Sequence, residues 1–193
     1  MVREQQDNPE QGSESTARLA VRKERVYAEH PPARVWVALT DPRAIAEWLM
    51  PNNFEPTVGH SFRFEVDPTV GSCGVSAVAC EVLEVVPERR LVYSWVDVPR
   101  KAGVAQTRPG RVIWELEPTA DGRGSVLRLT HEGVEVMSWL HRMMIRFGWG
   151  TMVKRWIPKV AARVGADGVF VPGAIPLNKR AYRCNNISAE MVR

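Results

Sequence analysis

Histidines, cysteines and carboxylates are the side chains whose spacing could do chemistry, and none of them forms a known catalytic or metal-binding motif. The sequence contains no GxSxG, HExxH or phosphate-cradling glycine loop. Cys73, Cys80 and Cys184 are unevenly spaced without a CxxC pair, so they indicate neither a disulfide framework nor a zinc site. We therefore predict no catalytic residue, no metal and no cofactor, and we expect reduced thiols.

Two places could still supply a polar group to a pocket. His131 and Glu132 end a predicted strand just before a long helix, where a titratable pair can sit at a cavity mouth. Glu81 shares a strand face with Ala79 and Leu83 and is the best candidate for a buried carboxylate. The alternatives are a structural histidine and a half-exposed strand end.

Aromatic side chains and methionines are the candidates for an apolar pocket wall. Phe62 and Phe64 alternate with Arg63, so both should face the interior, where methionines of a late helix could meet them. Ordinary core packing is the alternative for each. Five of the seven tryptophans lie in elements that could face a cavity: Trp48, Trp95, Trp114, Trp139 and Trp149. The predicted ligand-binding residues are Trp48, Phe62, Phe64, Trp95, Trp114, His131, Met144, Trp149 and Met152.

The N-terminal part of the chain predicts one strand and two short helices. Residues 1–17 are rich in Gln, Glu, Asp, Asn and Ser and are predicted to be disordered. A strand is expected over Leu19–Ala28. Helices are expected over Pro32–Thr40 and Pro42–Leu49, because apolar residues recur at helical spacing and Asp41 can cap the second helix before its proline.

Turn residues divide the middle of the chain into five further strands. The predicted strands are His60–Asp67, Gly74–Val86, Arg89–Val96, Gly110–Pro118 and Gly124–Glu132. Turns are expected at Pro87-Glu88 and at Asp121-Gly122. Connections this short favour antiparallel pairing over parallel crossovers.

The last predicted element is a long amphipathic helix over Glu135–Val164, or two helices. Pro158 removes a backbone hydrogen bond, so we expect a kink or break near Lys154. Residues 166–193 form an extension that is too apolar for simple disorder and too rich in proline for a helix. It could dock on a groove of the domain or on a neighbouring subunit.

Several stretches of the chain carry a family resemblance. They are Pro32 to Pro42 followed by Trp48, Glu81 to Trp95, Trp114 to Pro118 with Gly124, and Leu129 to Gly133 followed by Gly148-Trp149. Together they resemble the AHSA-type domain, named after the activator of the ninety-kilodalton heat-shock-protein ATPase, in the SRPBCC or START (pollen-allergen-like) superfamily. The order of elements predicts the same α+β helix-grip fold over residues 18–165, with a curved six-stranded antiparallel sheet around a long C-terminal helix.

A curved sheet around a long helix typically leaves a cavity between them, and this expectation predicts a function in binding. We expect non-enzymatic binding of an apolar or amphipathic small molecule. The resemblance implies two alternatives, a chaperone-interacting module linked to the stress response and a cyclase- or hydrolase-like cavity enzyme. A homodimer through the sheet edge or the tail is a further option.

Charge and hydropathy limit which partners and which cellular compartment we expect. The net charge is +4 with a pI near 9.2. The basic residues of the late helix are interpreted as a solvated face and not as a nucleic-acid footprint, since no recognised nucleic-acid motif accompanies them. No apolar run suits a signal peptide or a membrane span, so a cytoplasmic location is expected.

Overall fold

Six antiparallel strands form the framework of the molecule. The computed structural model describes residues 20–66, 74–101, 109–134, 137, 139–176 and 179–180. The strands are β1 (Val21–Tyr27), β2 (Ser61–Glu65), β3 (Val75–Val86), β4 (Arg90–Pro99), β5 (Gly110–Pro118) and β6 (Ser125–Glu132). They pair in the order β1-β6-β5-β4-β3-β2, so β1 and β2 are the edge strands.

The helices pack against this sheet in two groups. Helices α1 (Pro32–Thr40) and α2 (Pro42–Trp48) follow β1, and α3 (Trp139–Thr151) follows β6. Asp41 caps α2 by accepting a hydrogen bond of 2.8 Å from the backbone N–H of Arg43. The predicted helix-grip architecture is confirmed. No helix of the described residues is long and apolar enough to cross a membrane.

Period-2 alternation decides which strand side chains point toward the helices. Phe62 and Phe64 of β2 are buried while Arg63 is exposed, as predicted. On β3 the buried residues are Ala77, Val78, Cys80 and Val82, and Glu81 between Cys80 and Val82 lies on the outer, exposed face. The prediction of Glu81 as a buried carboxylate is therefore wrong. Glu81 does share a face with Ala79 and Leu83, as predicted, but all three side chains are exposed to solvent.

The late helix breaks where the sequence predicts. After α3 the backbone forms a π-helical turn, Met152–Trp156, and then a short helix α4, Ile157–Ala161. In this turn the Ile157 N–H bonds to the Met152 carbonyl. The next donor in that register would be Pro158, which has no N–H. The Tyr27 hydroxyl donates to the Val153 carbonyl instead, so β1 satisfies the acceptor that the proline leaves open.

The C-terminal tail packs on the domain as far as it is described. Phe170 and Ile175 are both 1% exposed and belong to the main core cluster. The carboxylate of Glu47 on α2 accepts the backbone N–H groups of Gly173 and Ile175 and lies 3.1 Å from a guanidinium nitrogen of Arg180. This buried carboxylate fastens the tail to α2. Residues 1–17, Leu19, Asp67, Glu135 and 181–193 lie outside the described residues.

Replacing Glu47 should weaken the whole fold. Glu47→Gln leaves one tail N–H without an acceptor and removes the negative charge beside Arg180, in a site where the Glu47 side chain is almost fully buried. We expect the free energy of unfolding to fall by about 2–4 kcal/mol in urea denaturation. The matched control is Glu81→Gln on the exposed face of β3, which should change it by less than about 0.5 kcal/mol. Equal effects of the two substitutions would contradict the role given to Glu47.

Candidate functional site

One tryptophan of α3 joins the helix to the inner face of the sheet. The ring of Trp149 lies 5.6 Å from Trp114, 5.7 Å from Trp95, 5.9 Å from His131 and 6.5 Å from Trp48, measured between ring centroids. Most of these contacts are edge-to-face, the arrangement that aromatic quadrupoles favour. Trp149 is the single buried residue of α3.

The aromatic surface continues from this point toward the far edge of the sheet. Phe64 lies 5.7 Å from Trp95, and Phe62 lies 5.3 Å from Phe64 and 5.5 Å from Tyr93. The rings therefore form one connected set from β2 to α3, which we call the ring cluster. It consists of Trp48, Phe62, Phe64, Tyr93, Trp95, Trp114, His131 and Trp149.

Every indole N–H in the ring cluster has a partner. The four bonds run from Trp48 to the Ala38 carbonyl (2.8 Å), from Trp114 to the Tyr93 hydroxyl (3.1 Å), from Trp95 to Asp97 (3.0 Å) and from Trp149 to His131 Nδ1 (2.9 Å). Three of them end on titratable side chains, those of Tyr93, Asp97 and His131. The polar groups of the cluster thus gather where β4, β6 and α3 meet.

His131 carries a buried donor that no neighbour accepts. Its side chain is fully buried, and Nδ1 accepts the Trp149 N–H, so a neutral ring holds its proton on Nε2. Nε2 has no hydrogen-bond partner in the described part of the chain. A Cβ at Gly110 would lie only 3.4 Å from Nε2, so the glycine keeps that side of the ring open. Burial, with a smaller contribution from His141, lowers the pKa of His131 to about 4.

Asp97 and His141 complete the polar end of the ring cluster. Asp97 is 8% exposed, and one of its carboxylate oxygens lies 3.9 Å from His141 Nε2. Burial raises the pKa of the Asp97 carboxyl above its usual range, although His141 and the bond from Trp95 offset part of the effect. We call His131, Asp97 and His141 the polar cluster. Its carboxyl and imidazole groups can hold or exchange a proton beside an apolar wall.

The structure brings together most of the predicted ligand-binding residues. Seven of the nine are buried members of the ring cluster, namely Trp48, Phe62, Phe64, Trp95, Trp114, His131 and Trp149. Met152 is partly buried against the same core. Met144 is not brought in, because it lies 41% exposed on another side of α3. Trp139, at the start of α3, is 64% exposed.

Asp97 and His141 were missed by the sequence reasoning. The signal for Asp97 was available, because it continues the inward alternation of Tyr93 and Trp95 along β4. His141 gave no comparable signal, since its approach to Asp97 depends on how α3 crosses the end of the sheet. Glu132, the other residue of the predicted pair, forms an ion pair with Arg111 on the outer face.

Comparison with known proteins identifies the family. Residues 29–159 match the family model of the activator of Hsp90 ATPase homolog 1-like protein. The chain belongs to this family. The predicted AHSA-type resemblance is thereby confirmed over most of the chain, and the ring cluster lies within the matched residues.

Solved structures of this fold include members from several bacteria. Protein MLL2253 from Mesorhizobium loti is 30% identical, with a TM-score of 0.62 over 76% of this chain and 98% of its own. DynU16, described as a protein in the dynemicin biosynthetic locus, is 25% identical, with a TM-score of 0.55 over 72% of this chain and 45% of its own. The Aha1 dimer from Colwellia psychrerythraea shares the fold at 13% identity, with a TM-score of 0.52 over 70% of this chain and 90% of its own. A search of curated proteins gave no match.

The low pKa of His131 makes stability depend on pH in a predictable direction. The unfolded chain binds a proton near pH 6.5 and the folded chain only near pH 4. The stabilisation is therefore complete above pH 6.5 and is lost as the pH falls toward 4. In His131→Gln this dependence is removed, so the stability difference between wild type and variant should shrink by about 2–3 kcal/mol between pH 7 and pH 4.

Urea denaturation across this pH range measures the difference, because the other titrating groups cancel between the two proteins. An NMR titration of the His131 ring provides an independent check. A parallel pH dependence of the two proteins, or a ring that protonates near pH 6.5, would contradict the assignment of a buried neutral histidine.

Proposed function

We propose that the protein binds a neutral apolar or amphipathic small molecule between the sheet and α3. The observation that carries the proposal is the unpartnered Nε2–H of His131, which lies at one end of a connected aromatic surface. Small-molecule sites combine such apolar walls with a few fixed polar groups. A buried donor without an acceptor is costly, so a ligand oxygen that accepts from Nε2 removes that cost.

The attachment of α3 supports access to this site. Of the thirteen residues of α3, only Trp149 is fully buried in the core, and Ile145 packs against it partly buried. An element with so few buried contacts opens at a lower free energy than the strands beneath it. The π-helical turn at Met152–Trp156 gives the helix a natural hinge, because it follows α3 directly and is anchored by Tyr27. We expect a ligand to enter by displacement of Trp149.

The polar cluster favours a ligand with an uncharged oxygen at one end. A carbonyl can accept from His131, and a hydroxyl can also donate to Asp97. The ring cluster itself contains no lysine or arginine, so a fully charged ligand group would be buried without a counter-ion. Burial of roughly 300 Å² of apolar ligand surface at about 25 cal/mol per Å² gives about 7.5 kcal/mol, a dissociation constant of about 3 μM.

The relatives favour a small molecule over a protein partner. DynU16 is described as a protein of a biosynthetic locus, which supports a role near small molecules. The chaperone alternative has its support in the family description alone. The donor of His131 and the aromatic rings are buried, where the surface of a protein partner does not reach them. Small-molecule binding is therefore the function that we propose.

The proposal can be tested with two probes of similar shape. 2-Acetylnaphthalene carries a carbonyl oxygen where 2-isopropenylnaphthalene carries a CH2 group. If His131 Nε2 donates to the ligand, the ketone should bind roughly three- to tenfold more tightly, as one hydrogen bond in a buried site allows. Binding is followed by the NMR shifts of the tryptophan indole N–H groups. His131→Phe should abolish the preference for the ketone.

The control variant is Leu83→Ala, whose side chain is 41% exposed on the outer face of the sheet. It should keep both affinities of the wild type. Equal binding of the two probes to the wild-type protein, or no binding of either, would refute the proposed site even if His131→Phe failed to fold.

A further inference from the structure

Helix α3 presents a stripe of large apolar side chains to solvent. The exposed fractions are 64% for Trp139, 57% for Leu140, 41% for Met143, 41% for Met144 and 67% for Phe147. At about 100° per residue these five positions span about 140° of the helix circumference. We call them the apolar stripe. Exposed apolar side chains grouped in this way mark an interaction surface more often than isolated ones do.

Every Asp, Glu, Lys or Arg position of α3, which carries the apolar stripe, is basic. Between Trp139 and Gly165 the sequence contains six lysines and arginines and no aspartate or glutamate. Arg142 and Arg146 flank the stripe on the helix, and Arg22 and Lys23 lie across from them on β1. None of these four residues takes part in an ion pair among the described residues. Among the described residues, no carboxylate therefore pairs with these four cations.

Two shallow grooves run between α3 and the edge strand β1 and meet at Arg146. One has a volume of about 530 Å³ and is lined by Trp139 and Met143 beside Arg22 and Arg142. The other has a volume of about 570 Å³ and is lined by Phe147 beside Lys23, Lys154 and Arg155. Each groove thus pairs apolar side chains with cations. The partner of this face must offer both apolar contact and negative charge.

We propose that this face of α3 docks on the surface of an anionic lipid bilayer. The helix lies in the plane of the interface, with the apolar stripe at the boundary between headgroups and acyl chains. Arg22, Lys23, Arg142 and Arg146 reach the lipid phosphates at the rim. An amphipathic helix with tryptophan and phenylalanine on one side and arginines beside them has the composition of interfacial helices.

Other occupants fit these observations less well. A nucleic acid would meet the cations but leaves the leucine and methionine side chains of the stripe without apolar contact. A second copy of the chain would bring two basic faces together, which like charge opposes. The bilayer satisfies both the stripe and the cations. The proposal is independent of the ligand site, because the stripe faces away from the ring cluster.

Vesicle flotation of the full-length protein tests the proposal. The probes are vesicles of phosphatidylcholine and vesicles of phosphatidylcholine with about one third phosphatidylglycerol. We expect binding to the anionic vesicles, weak binding to the neutral ones, and a loss of affinity as salt is raised. The double substitutions Trp139→Ala/Phe147→Ala and Arg142→Gln/Arg146→Gln should each weaken binding to anionic vesicles by roughly tenfold or more.

Matched controls separate this face from the rest of the surface. Val58→Ala/Leu83→Ala removes two exposed apolar side chains elsewhere, and Arg25→Gln/Arg89→Gln removes the same amount of charge from exposed positions off the grooves. Both should bind like the wild type. Circular dichroism should show all four variants folded, since the replaced side chains are exposed or lie at a groove.

Three outcomes would overturn the proposal. The first is a wild-type protein that does not float with anionic vesicles. The second is binding that falls equally in the control variants, which would reflect net charge and not this face. The third is a dimer in light scattering that Trp139→Ala/Phe147→Ala converts to a monomer, which would make a second copy the occupant of the stripe.

Discussion

The contact of Trp149 with the sheet is the interaction on which the rest of the site depends. Its ring touches Trp48, Trp95, Trp114 and His131, and its N–H bonds to His131 Nδ1. That single bond places the histidine proton on Nε2 and so creates the unpartnered donor. The same contact sets how α3 crosses the end of the sheet, which brings His141 toward Asp97 and turns the apolar stripe outward.

The position of Trp149 is in turn maintained from the other end of the helix. Pro158 cannot donate a backbone hydrogen bond, and the Val153 carbonyl that lacks its donor is taken by the Tyr27 hydroxyl of β1. The π-helical turn therefore forms where the strand supplies a partner for it. Such a break would destabilise an isolated helix. Here it attaches the helix to the sheet, because the Tyr27 hydroxyl donates to the free Val153 carbonyl.

Local rules predicted the elements well and the choice among faces less well. Pro32–Thr40 was predicted with its observed bounds because proline and Asp41 mark its ends, and alternation placed Phe62 and Phe64 correctly. Glu81 and Met144 failed for one reason: periodicity groups residues on a face but does not say which face is inside. In α3 apolar residues occur nearly all around the helix, so only the tertiary contact of Trp149 distinguishes the buried side from the exposed one. The Glu47 carboxylate that fastens the tail depends on contacts across more than one hundred residues and has no local signal.

The two apolar sides of α3 also determine whether its two proposed partners can influence each other. A bilayer that covers the apolar stripe shifts the position of α3 only if it binds the displaced helix and the closed helix with different affinity. The stripe is exposed while Trp149 is still buried, so docking requires no opening of the ring cluster. Coupling would arise if the displaced helix also placed Trp149 in the interface, where a tryptophan ring released from the core is favourably accommodated. The free energy of moving the Trp149 side chain from the core to the interface, and not the area of the docked face, then determines how strongly membrane and ligand affect each other.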